Sequence, residues 1–205
     1  MAVLFTSDLH LGHKNVIEFC NRNKATCGVD FKNVDEMDDF LIDRWNRKVQ
    51  KDDTVYIIGD LSFRSGKDVA GYLKRMNGKK HVIAGNHDYK WQKHMEDVEE
   101  YLESVSNMEV IRIGKKLVTL NHYPMLEWNG SHRAVNQEDS LSWLVHGHIH
   151  DERESKTFEY IKKYQPCALN AGVDINHFEP VTFEEMVVNN NQWYERDTIT
   201  KNVTK

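Results

Sequence analysis

Five short apolar segments of this chain each run directly into a cluster of aspartate, asparagine or histidine residues. Each has two to five residues, and most are rich in Val and Ile, which is typical of buried β-strands. The segments are Val3–Thr6, Thr54–Ile58, 81–84, 117–120 and 144–145. In open α/β sheets, functional groups gather at the carboxyl ends of the strands. We therefore expect these strands to bring their polar residues to one edge of a sheet.

Helical periodicity lies between these strands. The clearest helix is predicted over residues 34–49, where apolar side chains recur at steps of three and four. Asn33 is expected to cap its start, with Glu36 three residues on. Near the end of the chain, Thr182 and Glu185 form the pattern of a capping box, which predicts a helix through about residue 189. Further helices are predicted over residues 65–76 and 89–95.

The order of these elements predicts an α/β chain. Strand–helix–strand alternation in the first half indicates βαβ units. From about residue 98 the strands come closer together, as in hairpins, and Gly114 and Lys115 are expected to form a tight turn between strands 110–113 and 117–120. The expected architecture is a mixed sheet, or two packed sheets, flanked by helices. We expect one domain over residues 1–205 with a frayed tail over the last ten.

Composition and charge restrict the classes of function. Hydrophobic residues make up 40% of the chain and charged residues 29%, an ordinary globular balance. There is no apolar run of about 20 residues and no basic leader, so neither a membrane span nor a signal peptide is expected. Three cysteines without a C-x-x-C pair favour a reducing, cytoplasmic setting. A net charge of −5 argues against a protein that coats nucleic acid, but not against a metal enzyme.

The residues at the strand ends are typical metal ligands. Carboxylate, imidazole and amide oxygen, without thiolate, suit Mn²⁺, Fe or a catalytic Zn²⁺ better than a structural zinc. Seven candidates are too many for one catalytic ion, so we expect two ions that share a bridging carboxylate, about 3.5–4 Å apart. The seven are Asp8, His10, Asp60, Asn86, His122, His148 and His150.

The ordered set of motifs resembles the calcineurin-like metallophosphoesterase superfamily, and in particular its small bacterial and phage predicted phosphoesterases. The motifs are Asp8-x-His10, Gly59-Asp60, Gly85-Asn86-His87-Asp88, His122 and Gly147-His148-x-His150. The resemblance implies a β-sandwich of two mixed sheets flanked by helices. It also implies hydrolysis of a phosphodiester or a phosphomonoester, with the diester favoured, by in-line attack of a metal-bridging hydroxide. The cofactors implied are two divalent ions, with Mn²⁺ preferred over Fe, Zn, Ni or Mg.

The resemblance also assigns roles to individual residues. It puts Asp8, His10 and His150 on the first ion, Asn86, His122 and His148 on the second, and Asp60 as the bridge. His87 is the catalytic residue that does not bind metal. His13 and Arg64 lie beside the motifs and could contact a substrate phosphate or simply be exposed. Asp88 is expected to support a turn or a ligand, and His146 to be structural or to support a ligand.

One departure from the superfamily's motifs restricts the class of substrate. Protein phosphatases continue the Gly-Asp motif with a second Asp and an Arg-Gly pair, whereas this chain continues Leu61-Ser62-Phe63-Arg64. A Ser/Thr protein phosphatase is therefore disfavoured, and the residue that orients His87 stays open. A small phosphate ester or nucleotide is the expected substrate, and a nuclease is less favoured because the chain is acidic. A non-catalytic scaffold of the same fold is the other alternative, against which the complete ligand set argues. The sequence leaves the oligomeric state open.

Overall fold

The computed structural model describes the backbone of residues 1–200 and the side chains of residues 1–196. Nine strands lie within this range: β1 (Val3–Thr6), β2 (Thr54–Ile58), β3 (Lys79–Ile83), β4 (Ser104–Ser106), β5 (Met108–Ile113), β6 (Lys116–Asn121), β7 (Ser142–His146), β8 (Ala168–Asn170) and β9 (Val181–Thr182). The α-helices there are α1 (Val16–Phe19), α2 (Lys24–Cys27), α3 (Val34–Lys48), α4 (Gly66–Arg75), α5 (Tyr89–Gln92), α6 (Lys156–Tyr164) and α7 (Phe183–Thr200).

The strands form two mixed sheets. The first has the order β4-β3-β2-β1-β9, in which β1 to β4 are parallel and β9 is antiparallel. The second has the order β5-β6-β7-β8, in which β5 and β6 form a hairpin and β6, β7 and β8 run parallel. Because parallel strands end at the same edge of their sheet, the loops after β1, β2 and β3 lie together.

Two buried apolar clusters hold the layers together. Alternate residues of a strand point to opposite faces, so Phe5 and Ile58 pack against the second sheet while Leu4 and Ile57 pack outward. The inner cluster joins these residues to Val118, Leu120, Val145 and Leu169 of the second sheet. The outer cluster joins the other face of the first sheet to Leu41 and Trp45 of α3 and Leu73 of α4. The expected α/β fold of two mixed sheets flanked by helices is therefore confirmed.

Most predicted elements are confirmed, with their local signals in place. β1 and β2 match their predicted ranges, and the turn at Gly114 joins β5 to β6. The side chain of Asn33 accepts a hydrogen bond from the Glu36 N–H at the start of α3. Thr182 and Glu185 bond reciprocally at the start of α7.

Other predictions are wrong in part. The sequence predicts hairpins after residue 98, but β6, β7 and β8 are parallel, because the long connections between them let the chain cross over. The predicted helix over 89–95 ends at Gln92 and is followed by a 3₁₀ turn at Met95–Asp97. A frayed tail is expected over the last ten residues, but α7 continues through Thr200. Residues 201–205 lie outside the described residues. None of the helices within the described part combines the length and apolar character that a membrane span requires.

Candidate metal centre

The loop after β1 presents Asp8 and His10, both buried. The carboxylate of Asp8 accepts hydrogen bonds from Ser7 Oγ at 2.6 Å and from the backbone N–H of His148 at 3.0 Å. Both Asp8 and His10 adopt a left-handed backbone, with φ of 58° and 53°. Such a backbone is strained for residues other than glycine, and strain of this kind is frequent at functional sites.

Asp60, in the loop after β2, lies at the middle of the cluster. Its Oδ1 accepts the backbone N–H of His87 at 2.8 Å. Its Oδ2 lies 3.5 Å from both His10 Nε2 and His122 Nε2. Although burial favours the neutral carboxyl, the hydrogen bond and charge of His122 hold the pKa of Asp60 well below its ordinary value. Asp60 therefore stands as a carboxylate between two imidazoles.

Asn86, His122 and His148 form one side of the cluster. Asn86 Oδ1 lies 3.1 Å from both His122 Nε2 and His148 Nδ1. His122 Nδ1 donates to the carbonyl oxygen of Ile58 at 2.9 Å, so in the neutral ring the lone pair is on Nε2 and faces the oxygens of Asp60 and Asn86. Burial opposes a charge on His122, but the carboxylates of Asp60 and Asp8 raise its pKa to about 9. A cation binding here would displace that proton.

His150 forms the other side, beside Asp8 and His10. Its Nε2 lies 3.2 Å from His10 Nε2 and 3.8 Å from Asp8 Oδ1. Burial opposes its charge, but Asp8 and Asp174 raise the pKa of His150 to about 11. Burial and the proximity of His150 lower the pKa of His10. The imidazole nitrogens of His10 and His150 face each other and have carboxylates around them. A bound cation would stabilise this arrangement.

The donor atoms fit divalent cations. Within the described residues, three groups made of predicted site residues have their donor atoms within 4.8 Å of one another: Asp8 with His10 and His150, Asp8 with Asp60 and His122, and His10 with Asp60 and His87. Their atoms are carboxylate oxygens and imidazole nitrogens, which suit first-row divalent metals. Because Asp8, His10 and Asp60 each belong to two groups, the cluster is continuous.

Glycines let the loops approach this closely. Gly59 has φ of +84°, and a Cβ there would collide with the imidazole of His122. A Cβ at Gly85 would collide with the carboxylate of Asp60, and one at Gly147 with the hydroxyl of Ser7. A side chain at any of these positions would push two loops of the centre apart.

Three further predicted residues lie around the cluster. The ring centroid of His87 is 5.2 Å from that of His10 and 5.9 Å from that of His13. The ring of His13 stacks on Phe63 at 4.4 Å. Arg64 is exposed, and its side chain packs against Gly12 in the loop that carries His13. The structure thus brings His87 and His13 into the cluster and leaves Arg64 at its rim.

His146 lies apart from the ligand groups. It is fully buried, and its Nδ1 donates to the carbonyl oxygen of Gly147 at 2.9 Å. Burial lowers its pKa to about 4, so its ring is neutral at pH 7. These surroundings agree with the structural role expected for this histidine.

The match to a family model decides which superfamily this fold belongs to. The model of the calcineurin-like phosphoesterase superfamily domain matches residues 1–173. The chain belongs to this superfamily. The assignment implies a metal-dependent phosphoesterase, and the resemblance stated from the motifs is confirmed.

Similar proteins occur in phages, archaea and bacteria. The gene 66 protein of Mycobacterium phage L5 is 35% identical over 165 residues, which cover 71% of this chain and 76% of that protein. An uncharacterized protein of Methanocaldococcus jannaschii is 27% identical over 194 residues, covering 90% of this chain and 89% of that protein. The crystal structure of a protein of unknown function from Aquifex aeolicus matches with a TM-score of 0.63 at 24% identity, covering 89% of this chain and 96% of that one. This last likeness concerns the fold alone.

Asp88 connects two loops that carry superfamily motifs. Its Oδ2 accepts the N–H groups of Asp60 at 2.9 Å and Gly85 at 2.8 Å. Its Oδ1 accepts the N–H of Leu61 at 2.9 Å and the indole N–H of Trp91 at 2.8 Å. Burial raises the pKa of Asp88 to about 6, while these donors favour its ionised form. Its role is to fix the position of the Asp60 loop.

Two residues of the centre are absent from the sequence prediction. Asp174 bonds to His150, and the buried guanidinium of Arg22 bonds to Asp174. Although burial disfavours its charge, Arg22 and His150 hold the pKa of Asp174 well below its ordinary value. The superfamily match ends at residue 173, one position before Asp174. The segment before Asp174 is interrupted by Asn170 and Gly172, so it lacks the uninterrupted apolar run that precedes the predicted ligands.

Proposed function

We propose that this chain is a dinuclear metal-dependent phosphoesterase that hydrolyses phosphodiesters in preference to phosphomonoesters. The observation that carries the proposal is the position of Asp60. Its Oδ2 is 3.5 Å from a nitrogen of His10 on one side and 3.5 Å from a nitrogen of His122 on the other. A carboxylate equidistant from two groups of donors is the arrangement expected of a ligand shared by two ions.

The donors divide into two sets around Asp60. The first ion would be held by Asp8, His10 and His150, and the second by Asn86, His122 and His148, with Mn²⁺ the preferred metal. Two such ions, when bound, make hydroxide available near neutral pH and neutralise the charge that develops on the phosphoryl group. The backbone N–H of His148 and the hydroxyl of Ser7 keep Asp8 oriented into the first set.

In this proposal His87 protonates the leaving group. Its backbone N–H is fixed to Asp60 at 2.8 Å, and its ring lies against those of His10, His13 and Phe63. This chain lacks the second Asp of the protein phosphatases. We infer that these ring contacts orient His87 instead. A histidine that gives its proton to a departing oxygen contributes about 10²–10⁴-fold to the rate.

The rim of the centre favours the diester. Burial lowers the pKa of His13, so at pH 7 its ring is neutral and offers a phosphate oxygen a hydrogen bond rather than a charge. Arg64 at the rim supplies a cation. A phosphodiester has one negative charge and a monoester has up to two, so this rim matches the diester better. The proposed substrates are small phosphodiesters, including nucleotides.

We expect the purified chain with Mn²⁺ to cleave bis-p-nitrophenyl phosphate with a kcat/KM at least about tenfold above that for p-nitrophenyl phosphate, equivalent to ~1.4 kcal/mol in barrier height. Removal of metal with a chelator should abolish both activities, and Mn²⁺ should restore them. Release of p-nitrophenol measures both reactions. A preference for the monoester would contradict the substrate class, and cleavage that survives complete removal of metal would contradict the mechanism.

A further inference from the structure

We propose that Asp174 is a positioning residue that fixes the orientation of His150 and thereby sets the affinity of the first metal ion. The inference rests on the proposed function, because it requires a metal at Asp8, His10 and His150. The contact that carries it is a hydrogen bond of 2.7 Å between His150 Nδ1 and Asp174 Oδ2. Asp174 lies outside the superfamily match and outside the motifs that the sequence analysis identified.

The bond determines which nitrogen of His150 can bind metal. A carboxylate only accepts hydrogen bonds, so the proton must be on Nδ1. In the neutral ring that binds a metal, the lone pair is then on Nε2, which is the nitrogen that faces His10 and Asp8, at 3.2 Å and 3.8 Å. A carboxylate that holds the distal N–H of a ligand histidine fixes its tautomer and ring orientation and raises its basicity as a ligand.

Asp174 is itself held in place by Arg22. The guanidinium donates from Nε to Oδ1 at 2.8 Å and from a terminal nitrogen to Oδ2 at 3.2 Å. This two-point grip, a bidentate contact, leaves the carboxylate little freedom to rotate. The Arg22 side chain is fully buried and that of Asp174 is 3% exposed. A buried, paired and hydrogen-bonded carboxylate is a rigid support for a ligand.

Arg22 also reaches the loop that carries the other ligands of the first ion. Its terminal nitrogens donate to the carbonyl oxygens of Asp8 at 2.6 Å and Leu9 at 2.9 Å. This loop is the one with left-handed backbone at Asp8 and His10, which needs support from its surroundings. One guanidinium therefore ties the loop that carries two proposed ligands, Asp8 and His10, to the carboxylate that orients the third.

The backbone places Asp174 at the junction of the two sheets. The N–H of Val173 donates to the carbonyl oxygen of Ser7 at 3.0 Å, so the segment after β8 runs alongside the end of β1. Asp174 thereby enters the centre from the second sheet, while Arg22 enters it from the loop after α1. The two residues are 152 positions apart in the chain.

Metal titration by calorimetry tests the inference with the metal-stripped full chain and Mn²⁺ alone as the probe. In Asp174→Asn the amide nitrogen must face either Arg22 or His150, so the two-point grip and the fixed tautomer cannot both survive. We expect one of the two Mn²⁺ affinities to weaken by about 10- to 100-fold and the other to stay within about twofold. A merely structural role would weaken both sites together with the melting temperature.

Cys20→Ala is the matched control. The thiol of Cys20 also lies near His150 Nδ1, at 3.3 Å, but a carboxylate at 2.7 Å is the stronger acceptor. This variant should keep both Mn²⁺ affinities within about twofold of the wild type, and Asp174→Glu, which retains the charge, should bind more tightly than Asp174→Asn. If Asp174→Asn and the wild type bound Mn²⁺ with equal affinities, this inference would be overturned but the proposed function would stand. A wild type that binds no Mn²⁺ would overturn the proposed function as well.

A second measurement keeps the inference testable if Asp174→Asn does not fold. In the Zn²⁺-loaded wild type, long-range ¹⁵N–¹H spectra of the histidine rings report which nitrogen of each ring has the proton. The inference requires the proton of His150 on Nδ1, in slow exchange with water. A proton on Nε2, with the metal on Nδ1, would overturn it.

Discussion

Asp60→Asn should lower kcat/KM for bis-p-nitrophenyl phosphate by about 10³-fold at saturating Mn²⁺. The substitution preserves shape and retains an oxygen that can accept the His87 N–H at the Oδ1 position. It replaces the charged Oδ2, which lies 3.5 Å from His10 Nε2 and from His122 Nε2, by an uncharged amide nitrogen that cannot bind a cation. Loss of about 4 kcal/mol of charge stabilisation in the transition state corresponds to this factor.

The matched control for this substitution is Asp39→Asn. Asp39 is 61% exposed and pairs with Arg75 on the surface of the protein, so the same chemical change there should leave kcat/KM unchanged within error. Thermal melting of both variants, followed by circular dichroism, separates loss of chemistry from loss of fold. A folded Asp60→Asn protein with activity within about tenfold of the wild type would contradict the role of Asp60 as the shared ligand.

Asp88→Asn should lower the free energy of unfolding by about 3 kcal/mol or more. Oδ2 of Asp88 accepts two N–H groups and Oδ1 accepts three, so an amide nitrogen in either position faces at least two donors instead of accepting from them. Buried donors left without acceptors cost about 1–3 kcal/mol each. For a protein of this size we expect the melting temperature to fall by about 6–12 °C.

The same substitution should also reduce activity, because Asp88 holds the N–H of Asp60 and of Gly85 in the two loops that approach each other there. We expect kcat/KM to fall by about 10- to 100-fold at a temperature where the variant is folded. Denaturant unfolding measures the stability, and Asp39→Asn again serves as the control, with a change within about 0.5 kcal/mol. An Asp88→Asn protein as stable as the wild type would show that the loops are held by other contacts.

The sequence predicts well which of these side chains lie together, because their signal is local. Each proposed ligand follows an apolar strand, and parallel strands such as β1 and β2 necessarily end at one edge. The glycines before Asp60 and Asn86 identify the loops that must approach each other closely. This is why Asp8, Asp60 and His122, from three separate segments, were expected to meet and do lie together.

The rest of the fold and of the candidate site depends on contacts between distant parts of the chain. No local sequence pattern predicts such contacts. Arg22 and Asp174 are 152 positions apart, and each is an ordinary charged residue in its own segment. The three- and two-residue strands β8 and β9 are too short to show a period, so the position of Asp174 after β8 was not predicted. The parallel order of β6 and β7 could not be predicted either, because it depends on where the intervening connection packs.

An anomalous difference map from a crystal grown with Mn²⁺ would show whether the centre holds two ions. We expect two peaks about 3.5–4 Å apart, one beside Asp8, His10 and His150, the other beside Asn86, His122 and His148, with Asp60 between them. A single peak, or a second peak away from Asp60, would contradict the dinuclear centre on which the proposed mechanism depends.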